Sequence, residues 1–202
     1  MNDNFDYKTE FKNNSKKQSN IEFLRAVRNN NLERVKYLLT SSDIKEKADV
    51  HTQNDEALIG ACANGDLEIV KYLLTSPELS EHADIHASDD MALICACSGQ
   101  KLEVVKYLLT SSELKEHANV HANGDSPFFK SWFDDDKKKR EVFNYLIFDY
   151  QIEKTKEIDS SLTVFKMQEG KILFQKRELK NKLNNNLNNS DKILNVINKV
   201  KI

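Results

Sequence analysis

Three cysteines and three evenly spaced histidines are the residues whose types could bind a metal, because thiolates and imidazoles are preferred zinc ligands. They are Cys62, Cys95, Cys97, His51, His86 and His121. Cys62 and Cys97 hold equivalent positions on neighbouring helical patterns, and packed helices lie about 8–10 Å apart. Zinc ligands lie about 2.0–2.3 Å from one ion, and disulfide-linked Cα atoms lie about 4.4–6.8 Å apart. The spacing therefore predicts small packed thiols, with no metal, no cofactor and no disulfide.

The histidines recur every 35 residues and allow two interpretations. Each ring could hydrogen-bond the backbone of its own loop and serve only the fold. Alternatively, the set could form a pH-sensitive binding surface, because imidazole titrates near neutral pH. Two further histidines, His82 and His117, recur in a longer polar segment and are expected to be exposed.

The sequence contains no recognisable catalytic constellation. It has no Gly-rich phosphate-binding loop, no nucleophile elbow and no paired-histidine protease motif. The three aspartates at 134–136 lack the spacing of a calcium loop and are predicted to lie in a solvated loop. We therefore predict no catalytic residue and no enzyme, and a metal-dependent enzyme is kept as an alternative.

The positions of these residues follow an internal repeat. The string Lys-Tyr-Leu-Leu-Thr begins at Lys36, Lys71 and Lys106, and Ala-Asp-Val-His or a close variant ends at each of the three periodic histidines. Both strings recur with a step of 35 residues. A fourth, degenerate unit covers about residues 124–150, where Asn-Tyr-Leu-Ile at Asn144 echoes Lys-Tyr-Leu-Leu three residues late, after an insert.

Each unit contains two helical patterns. The first is short, as in Glu56–Ala63, and ends at Asn64-Gly65, where a left-handed residue can close a helix. The second, Leu67–Leu74, has an apolar stripe at helical spacing. The residues expected to be nearly fully buried are Leu67, Val70, Leu74, Ala61, Leu102, Val105 and Leu109. One hairpin cannot bury its apolar face alone, so the units are expected to stack.

These motifs resemble the ankyrin repeat family. The segment Gly65–Leu74 resembles the family's second helix, and Ala83–Ala87 stands where the family has Ala-Asp-Val-Asn-Ala. Leu58–Cys62 is similar to Leu-His-x-Ala-Ala, and Gly124–Phe128 is similar to Gly-x-Thr-Pro-Leu. The resemblance covers about residues 21–155. It implies an all-α, ankyrin-type repeat solenoid of about four stacked helical hairpins with a helical C-terminal cap.

The sequence departs from the family pattern in two places. The family repeats every 33 residues, whereas this chain repeats every 35, and the added length follows the second helix in segments such as Thr75–His82. There, Ser76 as N-cap and Pro77 at the first helical position predict a short extra helical turn. The stretch from His86 to Leu93 is shorter than the family's hairpin finger, which usually supplies binding contacts. Binding is therefore expected to use the first helices, or the extended segments on the other side.

The remaining segments are predicted to flank the stack. The predicted domains are a mobile polar N-terminal segment (1–20), a repeat domain (21–155, with units of about 21–53, 54–88, 89–123 and 124–155) and a helical, basic C-terminal cap and tail (156–202). The start of the sequence does not resemble a secretory signal, and no apolar run is long enough to span a membrane. A cytoplasmic location is therefore expected.

Charge is distributed unevenly along the chain. Residues 21–160 contain 17 basic and 26 acidic residues, whereas residues 161–202 contain 9 and 3. The acidic body does not favour nucleic acid as a ligand, because duplex binding relies on neutralising phosphates. The basic tail leaves open an alternative function, the binding of nucleic acid or an anionic surface.

Candidate partner-binding residues are those that vary between otherwise constant units, because constant positions hold the stack and varied ones are free to recognise. Equivalent first-helix positions carry long side chains in the end units and small ones in the middle units. Carboxylates occupy the turn tips, which are the segments 53–55, 88–90 and 123–125. In the last unit, Trp132 and Phe133 replace small residues; Trp is a favoured interface anchor, although both side chains could instead pack under the C-terminal cap. The candidates are Arg25, Arg28, Asp55, Asp89, Asp90, Met91, Asp125, Lys130, Trp132 and Phe133.

Together these features predict a monomeric, non-enzymatic module that binds another protein through a concave face and the turn tips. The acidic tips favour a partner with a basic surface. Inhibition of that partner, as by an immunity-type antagonist, is one form such binding could take.

Overall fold

The computed structural model describes residue 11 and residues 13–132 and 141–150, a part of the chain that contains helices and no strand. The helices are α1 (Lys16–Arg28), α2 (Leu32–Thr40), α3 (Thr52–Asn64), α4 (Leu67–Thr75), α5 (Ala87–Ser98), α6 (Leu102–Thr110), α7 (Ala122–Trp132) and α8 (Glu141–Asn144), followed by a π-helical turn, Tyr145–Asp149. The predicted all-α stack of about four helical pairs is confirmed. Helix α1 begins inside the segment 1–20, and Phe11 is buried. The expectations for residues 156–202 lie outside the described residues.

The helices pack in two parallel rows. The first helices of the four units, α1, α3, α5 and α7, contact one another in chain order. The second helices, α2, α4, α6 and α8, also contact one another in chain order. Each unit therefore buries its apolar side against its neighbours, as the repeat requires.

The first helices end at a left-handed residue, as the sequence predicts for Asn64-Gly65. Gly65 has a φ of 87°, and its N–H donates to the Ala61 carbonyl at 2.9 Å. The equivalent positions in the neighbouring units are also left-handed, with Asn30 at 50° and Gln100 at 54°. The turn to the second helix is therefore the same in three units, although only one of them has glycine there.

The buried side of the second helices is rotated from the predicted stripe. Val70, Val105, Leu109 and Ala61 are buried as predicted, whereas Leu67, Leu74 and Leu102 are half-buried. The fully buried residues of α4 include Ile69 and Leu73. The prediction for Leu67, Leu74 and Leu102 was wrong because each second helix contacts both its own first helix and the neighbouring second helices. These contacts centre the buried surface on the positions of Ile69, Val70 and Leu73.

The segment that follows each second helix forms a single hydrogen-bonded turn at the predicted place, and this turn does not extend into a helix. The N–H of Leu79 donates to the Ser76 carbonyl at 3.2 Å, and residues 76–84 contain no α-helix. The N–H of Ala83 then donates to the Leu73 carbonyl at 3.0 Å. This bond returns the chain to α4 before a second helical turn can form. His82 is exposed as expected, and its Nε2 lies 2.9 Å from the Ser76 carbonyl oxygen.

Lysines of the second helices contact tyrosines of the following unit. The three contacts are Lys36 over Tyr72, Lys71 over Tyr107 and Lys106 over Tyr145, with Nζ at 5.7, 5.7 and 5.9 Å from the ring centroids. Tyr145 comes three residues later than a step of 35 from Tyr107 would place it. The contact therefore agrees with the three-residue shift that the sequence places after the insert. Exposed cation–π contacts of this kind contribute roughly 0.5–1 kcal/mol each.

Candidate functional site

One side of each first helix packs into the core, and the other side is accessible. In α3, Leu58, Ala61 and Cys62 are buried, whereas Glu56 and Gly60 on the other side are half-buried. Positions at a spacing of four and then three residues share one side of a helix. We call this accessible side of the four helices the first-helix face. Its residues are Ile21, Arg25, Arg28, Glu56, Gly60, Ala63, Met91, Cys95, Ser98, Ser126 and Lys130.

The middle of the first-helix face carries small side chains, and its ends carry long ones. Arg25, Arg28 and Lys130 are exposed at the two ends. At Gly60, in the middle, a Cβ atom would meet nothing closer than 3.9 Å, the distance to a methyl group of Val27. The face therefore has room for a side chain at Gly60, and a partner can approach the helix backbone there.

A buried glutamate, which the sequence analysis did not single out, fixes the first end of the face. Glu22 is 3% exposed, and its two carboxylate oxygens lie 2.7 Å from Arg25 and 2.6 Å from Arg34. The equivalent core positions in the next units hold Ala57 and Ala92. A charged residue in a slot that otherwise carries alanine was the signal in the sequence. Because Arg25 is anchored by Glu22, its guanidinium is held in place and still 59% exposed.

Cys95 lies on the face between charges from two neighbouring units. Burial raises the pKa of its thiol, the nearby Glu56 carboxylate raises it further, and Lys130 lowers it. Cys62 and Cys97 are buried, and desolvation raises the pKa of each thiol well above the ordinary value. The prediction of packed small thiols is confirmed for these two. All three cysteines are therefore protonated at neutral pH, a state in which a thiol is a poor nucleophile and a poor metal ligand.

The turn-tip carboxylates divide into two kinds, which corrects the candidate set. Asp55, Asp90 and Asp125 are each only 5% exposed, so the prediction that they contact a partner was wrong. Asp89 is exposed and Met91 is half-buried, so both remain accessible.

The three buried aspartates each pair with a histidine and, in the first two cases, with the next unit. Asp55 Oδ1 lies 3.0 Å from His51 Nδ1 and accepts the backbone N–H of Asp84 at 3.1 Å. Asp90 repeats both contacts with its own histidine and accepts the N–H of Asn119 at 2.8 Å. The histidine rings therefore bind a carboxylate, and the interpretation that they bond loop backbone was wrong. The pH-sensitive surface stays a prediction.

The backbone of the tips explains why these side chains point inward. Residues 53–55, 88–90 and 123–125 all have left-handed φ angles, between 48° and 63°. Left-handed backbone costs roughly 1–2 kcal/mol per ordinary residue. Asn, Asp and Gly tolerate it best, and Asn54, Asp55 and their equivalents supply mostly these types. The turn directs the third residue of each tip toward the core, where its carboxylate contacts the histidine. In the tips at Asp55 and Asp90, the carboxylate also accepts a backbone N–H from the next unit.

The aromatic candidates of the last unit remain predictions. Trp132 is the final residue of α7, but its side chain is not described, and Phe133 lies outside the described residues. In the part of the chain that is described, no group of three or more His, Cys, Asp or Glu side chains is placed to hold a metal ion. No helix described here is long and apolar enough to cross a membrane.

The stacked hairpins and their constant junctions define a helical repeat solenoid. A family model described as ankyrin repeats, in three copies, matches residues 23–122 and 58–158. The chain therefore belongs to the ankyrin repeat family, a family of generally non-enzymatic protein–protein interaction modules. No curated protein and no solved structure matched the chain.

Proposed function

We propose that this chain binds a partner protein through the first-helix face, without catalysing a reaction on it. The observation that carries the proposal is the contrast between constant and varied positions on the same helices. The residues that vary, Arg25, Gly60, Cys95 and Lys130, are all exposed or half-buried, whereas their neighbours one position on, such as Ala61 and Ala96, are fully buried. A rigid stack whose accessible first-helix positions vary from unit to unit suits recognition.

The partner element would be convex and would place apolar area on the small middle of the face. Groups that accept hydrogen bonds would meet Arg28 and Lys130 at the two ends. Because the helices are already ordered by stacking, binding would cost little conformational entropy, which favours affinity. If the covered part of the partner is its own active surface, binding would inhibit it, and this is the antagonist form of the proposal.

The expectation of a basic partner no longer rests on the turn tips as a set. Three of their four candidate carboxylates are buried, which leaves Asp89 exposed. Glu56 adds one acidic group on the first-helix face. Glu56 and Asp89 would attract a basic partner toward the middle of this face, whereas Arg25, Arg28 and Lys130 would repel it from the ends. Both effects on the association rate weaken as salt rises.

Filling the middle of the face tests the proposal. Gly60→Gln adds a long polar side chain where a Cβ has space, and Gln forms helix more readily than Gly. The matched control is Glu103→Gln, at an exposed position on the second helix α6. Affinity capture from the native host should recover a partner with the wild type and with the control, and should lose it with Gly60→Gln. Equal recovery by Gly60→Gln and wild type would place binding on another surface.

The basic tail supports a second candidate function because of its composition alone, with 9 basic and 3 acidic residues over 161–202. Binding of nucleic acid or an anionic surface through this tail would depend strongly on salt. It would disappear when residues 184–202 are deleted and would be indifferent to Gly60→Gln.

A further inference from the structure

Two equivalent clefts open between successive units, away from the first-helix face. The first has a volume of about 360 Å³ and is lined in part by Leu39, Thr40 and Leu79. The second has a volume of about 340 Å³ and is lined in part by Leu74, Thr75 and Leu114. Each residue of the second set lies 35 positions after its counterpart in the first. The clefts therefore belong to the repeat itself, between the end of one second helix and the turn that follows the next.

Each of the two clefts combines apolar side chains with three carboxylates, of which Glu81 and Glu116 have a histidine within ion-pair distance. The carboxylates are Asp49, Glu78 and Glu81 in the first cleft and Asp84, Glu113 and Glu116 in the second. No lysine or arginine of the described residues lies within ion-pair distance of any of these six. Two lysines line the first cleft and one lines the second, so carboxylates outnumber them in both.

Individual contacts hold part of each carboxylate set in place. The Tyr72 hydroxyl donates to Glu78 at 3.2 Å. His86 Nε2 lies 3.5 Å from Glu116, and His51 Nε2 lies 3.9 Å from Glu81. Apolar side chains beside carboxylates that no lysine or arginine pairs with match the side chain of an incoming lysine or arginine, which lays its methylene stem on apolar surface and keeps its charge at the polar end.

The step between the clefts sets the spacing of such side chains along a bound chain. Neighbouring packed helices are about 8–10 Å apart, so equivalent clefts in adjacent units are separated by about that distance. A polyproline II helix rises about 3.1 Å per residue and has three residues per turn. Every third side chain therefore points to the same side at intervals of about 9 Å. A β-strand alternates sides with each residue and would turn the third side chain away.

We propose that the two clefts bind a proline-rich segment of a partner protein in the polyproline II conformation, with a lysine or arginine at every third position. Each basic side chain enters one cleft, its stem against Leu79 or Leu114 and its charge near Glu78 or Glu113. None of the lining residues belongs to the first-helix face, so this surface functions independently of that face.

The test uses the full chain and a labelled synthetic peptide of six Lys-Pro-Pro triplets, with binding measured by fluorescence anisotropy at low salt. A peptide of six Lys-Pro pairs carries the same charge with its lysines two residues apart, so they do not share one side. The triplet peptide should bind about fivefold more tightly than the pair peptide. A fivefold difference in affinity is about the largest that one additional exposed ion pair supplies. Absence of binding, or equal affinity for both peptides, would overturn the proposal.

A pair of double variants locates the binding. Glu78→Gln with Glu113→Gln removes one charge from each cleft and keeps an acceptor for the tyrosine hydroxyl. This double variant should lower the affinity for the triplet peptide about fivefold and leave capture of a partner protein by the first-helix face unchanged. Glu68→Gln with Glu103→Gln makes the same charge change on the second helices, outside both clefts. If this control weakens binding as much as the cleft variant, the attraction is general charge, and the cleft proposal fails.

Discussion

Replacing Asp90 by alanine should destabilise the stack at one junction, because Asp90 joins two units through its side chain. Its carboxylate accepts the Asn119 N–H at 2.8 Å and lies 3.0 Å from His86 Nδ1, and the residue is 5% exposed. A hydrogen bond to a charged group contributes about 1.5–3 kcal/mol. Alanine also tolerates the φ of 57° at this position less well than aspartate. The free energy of unfolding should therefore fall by about 2–4 kcal/mol.

Two further substitutions separate the bridge from the backbone strain. Asp89→Ala has nearly the same left-handed φ, 56°, but an exposed side chain, so it should cost only about 1 kcal/mol. Asp90→Asn keeps an oxygen for the Asn119 N–H and tolerates the left-handed turn, so it should also cost about 1 kcal/mol or less. The first unit uses this solution already, since Asn20 Oδ1 accepts the Asp49 N–H at 2.9 Å.

Urea unfolding followed by circular dichroism measures these differences, and amide hydrogen exchange locates them. The Asn119 amide should lose protection in Asp90→Ala and keep it in Asp90→Asn and Asp89→Ala. If Asp90→Ala and Asp89→Ala cost the same within about 0.5 kcal/mol, the side-chain bridge contributes nothing and the backbone alone holds the turn.

Three other predictions follow from burial. Leu73→Ala should lower the free energy of unfolding by about 2–5 kcal/mol, because Leu73 is fully buried. Leu74→Ala should lower it clearly less, because Leu74 is half-buried. Equal losses in chemical denaturation would contradict the observed rotation of α4. Gly60→Ala should raise the free energy of unfolding by about 0.5–1 kcal/mol, since the added Cβ has space in a helix; a loss of stability would show that the position is crowded. In thiol titration with Ellman's reagent at pH 8, half-buried Cys95 should be the accessible thiol and react slowly, because its raised pKa leaves less thiolate than in a free cysteine. Buried Cys62 should react only after unfolding, and rapid labelling of it in the native protein would refute this.

The repeat could be read from the sequence because it depends on local spacing. Strings that recur every 35 residues fix which segments are equivalent, and the apolar period fixes that they are helices. Even the degenerate last unit was aligned correctly, and the contact between Lys106 and Tyr145 agrees with the shift. The family resemblance follows from the same strings.

The exposure of individual side chains could not be read in this way. Leu74 fits an apolar stripe as well as Leu73 does, and only the packing of neighbouring second helices decides which of them is buried. The extra segment has a good N-cap and a proline, but the bond from Ala83 to Leu73 limits it to one turn.

The turn tips show most clearly which features follow from the sequence and which depend on the tertiary structure. The sequence by itself determined that a histidine is followed four residues later by an aspartate in three successive units, as at His86 and Asp90. By composition, such a turn looks like a solvated, variable loop. Only the tertiary structure decided that the aspartate is buried, because its partner, the Asn119 amide, is 29 residues away in the chain and next to it in the stack. A left-handed turn aims the carboxylate at that amide, and neither the turn's direction nor the amide's position is encoded in local spacing.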